Sequence, residues 1–156
     1  ELCGYGLSTD MTHITRPTVE GQARAMRAAL LSARRDANAI DYVNAHGTAT
    51  LQNDAIETAA LKDVFGRRAY SLPVSSTKSM HGHLLGAAGA LEFLVSVAAL
   101  ERGIVPPTMH LDSPDAACDL DYVPDRARSG VALRTVMSNS FAFGGTNATL
   151  VAAAPS

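Results

Sequence analysis

Two histidines follow short apolar segments and precede small or hydroxyl residues, a setting that suits chemistry. His46 comes after residues 42–45 (YVNA) and before Gly47. His83 comes where a strand-like segment gives way to a long apolar run. At the start of a helix, free backbone N–H groups and the positive end of the dipole favour neutral imidazole. Such a ring can donate a hydrogen bond to an oxygen atom that becomes negative during a reaction.

Three further side chains belong to the same donor-rich group. Lys78 lies in the turn that leads to His83. Thr48 and Thr50 follow His46 along the chain. If the strands run parallel, the loops at their carboxyl ends meet at one edge of the sheet. The cation and the hydroxyls would then surround the two rings in a pocket suited to a carbonyl oxygen that gains charge.

Other interpretations of these residues were weighed against this pocket. A histidine at the start of a helix is more often a cap or a satisfied core residue, although two in matching loops favour a site. Two histidines without a third Asp, Glu or Cys nearby make a poor zinc set. Phosphate binding by Gly144 and Gly145 would need a helix after the loop. The sequence predicts a strand there, so the glycine pair is typical of a hairpin turn.

The two cysteines do not resemble catalytic nucleophiles. Cys3 lies in an apolar, strand-like start and is predicted to belong to the core. Cys118 lies among Asp115, Asp119 and Asp121, whose charges would raise the pKa of its thiol. Two distant cysteines indicate neither a disulfide framework nor a metal cluster, so a reducing cytoplasm is the expected location.

Composition and charge predict one globular domain. The 156 residues are 47% hydrophobic and 18% charged, enough for a real core. The net charge of −2 gives no reason to expect a nucleic acid partner. The apolar run Leu84 to Leu100 contains Glu92 and several small residues, so we interpret it as a buried core helix and not as a membrane span. No secretory signal is expected, since Glu1 begins a strand-like segment.

The apolar pattern predicts an α/β architecture. Helices are expected at residues 20–35, 54–65 and about 84–101, and strands at residues 1–7, 40–43, 71–76, 135–141 and 146–152. Strand–helix alternation that ends in a closing hairpin indicates a mostly parallel sheet with helices on its faces. The intervening segments, 8–17 and 107–119 among them, are expected to be loops.

Several motifs carry a family resemblance. They are residues 44–48 (NAHGT), residues 76–79 (STKS) with 82–89 (GHLLGAAG), and residues 139–147 (NSFAFGGTN). In this order they resemble the β-ketoacyl-acyl-carrier-protein synthases, and most closely the type II group with a thiolase-like fold. The resemblance covers nearly the whole chain, but it covers only the carboxyl-terminal half of such an enzyme.

This resemblance implies a fold and a missing half. Residues 1–156 would be the carboxyl-terminal ketoacyl synthase domain, one half of a five-layered αβαβα unit. The family's nucleophilic cysteine lies in the amino-terminal half, and no matching motif is present in this sequence. The fragment alone is therefore expected to be inactive, and the full-length form is expected to be a homodimer.

The resemblance implies roles in the family's condensing chemistry for five residues. His46 and His83 match the two family histidines, which stabilise the enolate left when malonyl-carrier protein is decarboxylated. Lys78 matches the invariant lysine and is cast as an electrostatic organiser, because the paired Glu92 would keep its ammonium charged. Glu57 matches a further acidic residue behind the site.

Substrate contacts are implied for a second group of residues. Thr48 and Thr50 match residues that hold the phosphopantetheine arm of acyl carrier protein. The backbone N–H of Phe143 would complete the oxyanion hole, and its ring would gate the acyl tunnel. A ring packed permanently in the core is the alternative. Phe141 belongs to this substrate-binding group, as does Thr15 at the end of a mobile family loop near the pocket mouth.

The resemblance also implies what else the domain would bind. Some family members hold a structural monovalent cation at positions that here are Asn44, Glu92, Ser138 and Asn139. No cofactor is expected, since the substrates are carried on the phosphopantetheine of acyl carrier protein. Acyl carrier protein and the amino-terminal half are the expected partners, whereas nucleic acid and membrane are not.

The sequence departs from the family pattern after Thr50. The family often has Pro-x-Gly-Asp there, whereas this chain has residues 51–54 (LQND). That segment, with residues 106–108 (PPT) and 119–124 (DLDYVP), also resembles ketosynthases of aromatic polyketide pathways, which leaves fatty acid and polyketide synthesis open. A non-catalytic, chain-length-factor-like subunit is the other alternative. Both histidines and Lys78 favour an enzyme, because a pure scaffold has no chemical need of them.

Overall fold

A five-stranded sheet with helices on both faces forms the body of the computed structural model, which describes residues 1–155. The elements in chain order are β1 (Leu2–Thr9), α1 (Val19–Ala33), β2 (Tyr42–Asn44), α2 (Asn53–Phe65), β3 (Val74–Ser75), α3 (Lys78–His81), α4 (Ala88–Arg102), β4 (Ile104–Val105), β5 (Arg128–Ser129), β6 (Thr135–Phe141) and β7 (Thr146–Ala153). The α/β class and the closing hairpin predicted from the sequence are confirmed.

The strands of this mixed sheet follow the order β1-β7-β6-β2-β3. β2 pairs in parallel with β6 and with β3, whereas β7 pairs antiparallel with β6 and with β1. The hairpin register runs from Thr135 opposite Ala153 to Phe141 opposite Asn147. The carboxyl ends of β2, β3 and β6 lie side by side, so the loops that carry the predicted site leave from one edge.

A hydrophobic core lies on each face of the sheet. Val43, Met137 and Val151 are fully buried against α1 and α2. Val136 and Ala152, their neighbours in sequence, pack with residues of α4 on the opposite face. Because successive side chains of a strand point to opposite faces, buried neighbours of this kind show that both faces of the central strands are covered.

The first two helices begin and end close to their predicted positions. Thr18 Oγ1 accepts a hydrogen bond from Gly21 N at 3.0 Å and so caps the start of α1. The helix ends at Ala33, two residues earlier than predicted, because Arg34 takes a left-handed conformation with φ of 52°. Gly66 ends α2 as predicted, with φ of 54° that favours glycine.

The long helix predicted from about residue 84 begins later than expected. Lys78–His81 form the short α3, Gly82 then takes a φ of 77°, and α4 begins only at Ala88. Glycine lowers helix stability, and Gly82 and Gly86 interrupt a continuous helix. His83 therefore lies in a loop, and the prediction that a helix dipole acts on its ring is wrong.

The prediction that this helix is buried in the core is also wrong, because only one side of α4 is buried. The buried residues of α4 form one narrow stripe: Ala88, Glu92, Ser96 and Ala99. This spacing places a single side of the helix against the sheet. Leu94 on the other side is 65% exposed. No helix among residues 1–155 is long and apolar enough to cross a membrane.

Three strands differ from the predicted ones by two residues or more at one end. β1 extends two residues past its predicted end, because its pairing with β7 continues to Thr9 opposite Thr146. β3 is confined to Val74–Ser75, since 3₁₀ turns occupy residues 66–71. β2 begins two residues later than predicted, at Tyr42, where its pairing with β6 begins.

Candidate active site

Loops at the carboxyl edge of the sheet bring the two predicted histidines together. His46 follows β2, and His83 lies in the loop between α3 and α4. Their ring centroids are 5.6 Å apart, and the ring planes are nearly perpendicular at 83°. His46 is buried, whereas His83 is exposed. The two rings therefore meet at one place but have different surroundings.

A buried carboxylate holds the backbone at His46. Glu57 of α2 accepts a hydrogen bond from His46 N through Oε1 and one from Gly47 N through Oε2, both at 2.9 Å. Asn139 Nδ2 donates to Oε1 and Asn53 Nδ2 to Oε2, each at 3.3 Å. Burial raises the pKa of Glu57, and the hydrogen bonds from the two backbone groups and Asn139 oppose that rise. Each oxygen thus accepts one backbone and one side-chain donor, which fixes this turn.

Gly47 allows the turn to approach β3 closely. Its φ is 38°, and an added Cβ would lie 2.4 Å from the Cβ of Ser76. Ser76 Oγ donates a hydrogen bond to the carbonyl oxygen of Gly47 at 2.6 Å. A side chain at residue 47 would therefore break the contact between the loops that follow β2 and β3, which explains the glycine of the first motif.

The surroundings of His46 keep its imidazole neutral. Burial, followed by the nearby Lys78 and His83, lowers the pKa of the ring to about 3. A neutral imidazole donates from one nitrogen and accepts at the other. Its Nδ1 has no hydrogen-bond partner among residues 1–155, and its ring centroid lies 5.9 Å from that of Phe141. Backbone contacts and ring packing therefore hold this side chain in place.

A buried ion pair lies beside the histidines. Lys78 Nζ and Glu92 Oε1 are 2.5 Å apart, and their side chains are at most 5% exposed. Lys78 is the first residue of α3 and Glu92 lies on the buried stripe of α4, so the pair joins the two helices. Removal of one partner of such a pair costs about 3–5 kcal/mol, because the other charge is left uncompensated. The expected contact between these residues is present.

A cavity of about 530 Å³ is lined by His83, whereas the buried His46 is not part of its walls. Its walls include Thr48, Thr50, Lys78 and His83, and the two threonine Oγ1 atoms are 3.1 Å apart. Another wall comes from the loop after β4, between Thr108 and Asp115. The volume is in the ordinary range for a small-molecule pocket. The predicted hydroxyls, cation and exposed histidine thus face a single space.

The two phenylalanines of the hairpin segment have opposite environments. Phe141 is 5% exposed and packs near His46. Phe143 is 81% exposed, so the alternative that its ring is packed in the core is wrong. The following Gly144 takes a φ of 78°, which favours glycine. The exposed ring can change position without loss of core packing.

The loop predicted to be mobile meets the hairpin through two backbone hydrogen bonds. Asp10 N donates to the Gly145 carbonyl at 2.8 Å, and Gly144 N donates to the Ile14 carbonyl at 2.7 Å. Thr15 is exposed and lies outside the walls of the cavity. The structure places this loop beside the hairpin but does not bring Thr15 to the cavity.

The four residues predicted to hold a monovalent cation do not all face one another. Asn44 Nδ2 donates to the Glu92 carbonyl at 3.3 Å, and Ser138 lies opposite Asn44 in the parallel pairing. The Asn139 side chain bonds Glu57 on the opposite face, because successive strand residues alternate. Residues 1–155 contain no group of three His, Cys, Asp or Glu placed to hold a metal ion. The cation site stays a prediction.

Neither cysteine has the setting of a nucleophile. Cys118 lines the cavity, but burial raises the pKa of its thiol and outweighs an opposing hydrogen bond from Thr58. Nearby aspartates add to the rise, as predicted, although burial is the larger cause. Cys3 Sγ donates to the carbonyl of Val151 at 3.4 Å within the sheet.

One residue of the site, Gln22, was missed from the sequence. Gln22 of α1 is fully buried, and its Nε2 donates to Asn53 Oδ1 at 3.3 Å. A signal was available, since Gln22 lies one turn before Met26 on the apolar stripe of α1. A polar side chain at such a position needs a hydrogen-bonding partner.

A family model for the β-ketoacyl synthase, C-terminal domain, matches residues 1–112. The chain belongs to the β-ketoacyl synthase family. The matched part contains both histidines and the Lys78–Glu92 pair, and the hairpin lies beyond it.

Relatives of this β-ketoacyl synthase domain match almost all of it. The chain is 52% identical over 153 residues to 3-oxoacyl-acyl-carrier-protein synthase 2 of Coxiella burnetii, which covers 97% of the chain and 37% of that protein. It is also 53% identical over 150 residues to nodulation protein E of Rhizobium meliloti. This match covers 96% of the chain and 37% of that protein. The chain thus spans little more than a third of the length of these relatives.

Solved structures of ketosynthases share its fold. The ishigamide ketosynthase/chain length factor has a TM-score of 0.95 and 42% identity, covering 99% of this chain and 38% of that one. A β-ketoacyl synthase from Burkholderia phymatum has a TM-score of 0.93 and 45% identity, covering 99% and 37%. A type II PKS acyl-carrier protein in complex with its ketosynthase has a TM-score of 0.94 and 36% identity, covering 99% and 38%. These likenesses confirm the predicted thiolase-like α/β fold.

Proposed function

We propose that this chain is the carboxyl-terminal half of a 3-oxoacyl-acyl-carrier-protein synthase, an acyltransferase of fatty acid biosynthesis. The reaction is the decarboxylative Claisen condensation of malonyl-acyl carrier protein with an acyl-enzyme thioester. One observation carries this proposal: the rings of His46 and His83 lie 5.6 Å apart, and His83 and Lys78 line a cavity of about 530 Å³.

Both histidines act on the oxygen of the malonyl thioester. When the bond between the methylene carbon and the carboxylate breaks, CO₂ leaves and the electron pair spreads onto that oxygen as an enolate. His46, with its pKa lowered to about 3, is neutral and donates an N–H, and His83 donates a second. Each fixed donor of this kind is worth about 10²–10³ in rate. The Lys78–Glu92 pair keeps the adjacent helices in place.

The enolate carbon then attacks the acyl group on the cysteine of the amino-terminal half. A carbon–carbon bond forms, the bond between the carbonyl carbon and the cysteine sulfur breaks, and the cysteine leaves as thiolate. The backbone N–H of Phe143 donates to the oxyanion of this step. The Phe143 ring, which is exposed here, acts as the gate of the acyl tunnel.

The cavity receives the phosphopantetheine arm of acyl carrier protein, the proposed partner. Thr48 and Thr50 supply neighbouring hydroxyls on its wall. In support, one solved structure similar to this chain is a complex of an acyl-carrier protein with its ketosynthase. No resident cofactor enters the proposal, since side-chain and backbone N–H groups supply the stabilisation that the enolate needs.

The amino-terminal half covers the face of the sheet that carries α4. Leu94 of α4 and Tyr5 and Leu7 of β1 are exposed there. Gly4 and Gly6 turn the other way, because a Cβ on either would meet α1. Exposed apolar surface of this kind marks an interface. The proposal therefore includes the five-layered unit, in a homodimeric, cytoplasmic enzyme.

A ketosynthase of a type II polyketide pathway is the second candidate. Residues 51–54 (LQND) favour it, because they depart from the Pro-x-Gly-Asp pattern often found after Thr50 in the family. The likeness to the type II PKS ketosynthase complex also supports it. A non-catalytic, chain-length-factor-like subunit is disfavoured, since a scaffold has no chemical use for a neutral buried histidine beside a buried Lys78–Glu92 pair.

The test uses the full-length protein that contains this chain, with acyl carrier protein in its malonyl and acyl forms. Release of CO₂ and a 3-oxoacyl-carrier product, seen by intact mass, are the expected result. One extension per turnover indicates fatty acid synthesis, and repeated extension without reduction indicates the polyketide pathway. A protein that neither becomes acylated nor releases CO₂ is a scaffold, and the enzymatic proposal is then refuted.

A further inference from the structure

A chain of buried amides connects α1 to the turn that carries His46. Gln22 Nε2 donates to Asn53 Oδ1 at 3.3 Å, and Asn53 Nδ2 donates to Glu57 Oε2 at 3.3 Å. Glu57 in turn accepts the backbone N–H groups of His46 and Gly47. All of these side chains are buried, so no exposed loop intervenes between the helix and the turn.

The orientation of each amide in this chain is fixed by charge. Asn53 Nδ2 also donates to Asp54 Oδ1 at 3.2 Å. Asn53 Nδ2 thus faces one carboxyl oxygen of Glu57 and one of Asp54, and such oxygens accept hydrogen bonds, so Asn53 turns its NH₂ toward both. Its oxygen then faces Gln22, which must present its own NH₂.

This orientation leaves the other polar atom of Gln22, Oε1, without a hydrogen bond within residues 1–155. Gln22 Oε1 is buried and has no hydrogen-bond partner among the residues that the structure describes, 1–155. A buried polar atom without a partner destabilises the fold. A leucine or methionine would fill the same place on α1 without that cost, so packing alone does not account for glutamine here.

We propose that Gln22 is a positioning residue for His46. It acts through Asn53 on the Oε2 side of Glu57, while Asn139 from the sheet acts on the Oε1 side. The His46 ring depends on this support, because its Nδ1 has no partner within residues 1–155 and only its backbone contact with Glu57 and ring packing against Phe141 hold it. A small displacement of a donor lowers the rate of a reaction that needs close alignment. The inference rests on the proposed function, since His46 matters only if it stabilises an enolate.

The test variant is Gln22→Met in the full-length synthase, which keeps the size of the side chain and removes the amide. The matched control is Leu30→Met, a buried substitution on the same helix outside the amide chain. We expect Gln22→Met to lower kcat of malonyl decarboxylation by about 3- to 10-fold, the effect of one weakened hydrogen bond. KM and acylation of the cysteine should stay unchanged, and Leu30→Met should leave all three unchanged.

A double-mutant cycle identifies the route of the effect. Asn53→Ala should lower decarboxylation at least as much as Gln22→Met, and the double variant should be no slower than Asn53→Ala alone. Independent, multiplied effects would overturn the inference. So would a Gln22→Met variant that loses thermal stability but decarboxylates at the wild-type rate.

Amide hydrogen exchange separates this inference from the proposed function. Gln22→Met should speed exchange of the His46 and Gly47 N–H groups, whereas Leu30→Met should not. A wild-type protein that cannot decarboxylate malonyl-carrier protein refutes the proposed function, whatever the exchange rates. Unchanged exchange at these two amides refutes the role of Gln22, whatever the activity.

Discussion

The two faces of the sheet are covered to different extents by the helices of this chain. On the face of α1 and α2, the core is closed and the Glu57 network is buried. On the face of α4, one stripe of the helix contacts the sheet, and Leu94, Tyr5 and Leu7 remain exposed. His46 is held from the first face, and His83 belongs to the loop that leads into α4.

This difference teaches that the two histidines are organised by different means. The Glu57 network holds the His46 turn, together with the contact of Ser76 from the end of β3. His83 is exposed and lies in the loop that leads to α4, the helix with only one buried stripe. The structure therefore holds the His46 ring through a buried network and leaves the nearby His83 ring exposed.

The largest expected effect is the loss of acylation in the isolated chain, whose α4 face is only partly covered. The isolated chain should form no acyl-enzyme with acyl-carrier substrate, because Cys118 has a raised thiol pKa and no other cysteine lines the cavity formed by residues 1–155. Intact mass spectrometry should show an unchanged mass. Addition of the separately expressed amino-terminal half should restore acylation of that half. An acylated isolated chain would remove the basis for this prediction.

The next effect tests both donors in the full-length protein. His46→Ala and His83→Ala should each slow malonyl decarboxylation by about 10²–10³ and spare acyl transfer to the cysteine. His81→Ala is the matched control, because the His81 ring contacts Thr77 and the Gly82 carbonyl and does not line the cavity. A His83→Ala enzyme that decarboxylates at nearly the wild-type rate would show that His83 is not a donor.

A smaller effect, the pH dependence of stability, tests how well His46 is buried on the face of α1 and α2. The pKa of His46 falls from the usual 6.5 to about 3, so the unfolded chain binds more protons than the folded one between these values. Stability is therefore full above about pH 6.5 and is lost as pH falls toward 3. Between pH 7 and 4.5 the loss from this group is about 2.5 kcal/mol. Urea unfolding of the wild-type protein and of His46→Ala at both pH values measures this loss. The same change in the free energy of unfolding with pH in both proteins would contradict the prediction.

The smallest effect on stability is expected at the exposed hairpin ring. Phe143→Ala should change the free energy of unfolding by less than about 0.5 kcal/mol, because little of the ring is buried. Phe141→Ala, its buried counterpart, should cost about 3–5 kcal/mol. If Phe143 is a gate, its truncation should alter acylation kinetics and loosen the order of substrate entry. A large fall in melting temperature with unchanged kinetics would end the gating proposal.

The sequence predicted those features that local patterns determine. Both histidine loops, the hairpin and the ends of α2 follow from apolar runs and glycines, which act over a few residues. The start of α4 at Ala88 was missed, because an apolar run looks helical whether or not Gly82 and Gly86 interrupt it.

Features that depend on distant partners were not predictable in the same way. The apolar run of α4 was interpreted as buried, because hydropathy does not show whether the covering surface belongs to the same chain. Gln22 was passed over since its partner, Asn53, lies 31 residues away. The separation of Asn139 from Asn44 required the pairing of β6 with β2, which no local pattern gives.

The place of β1 in the sheet has a consequence for the order of folding. Among residues 1–155, β1 pairs only with β7, and Glu1 N donates a hydrogen bond to the carbonyl of Ala153, 152 positions away. The β6–β7 hairpin can form early because its loop is short, whereas closing a long loop is entropically costly and slows folding. On a ribosome, the edge of the sheet cannot close before β7 has emerged. Until then, the strand that carries Tyr5 and Leu7 lacks its β7 partner, and an unpaired strand edge with apolar side chains is prone to aggregation.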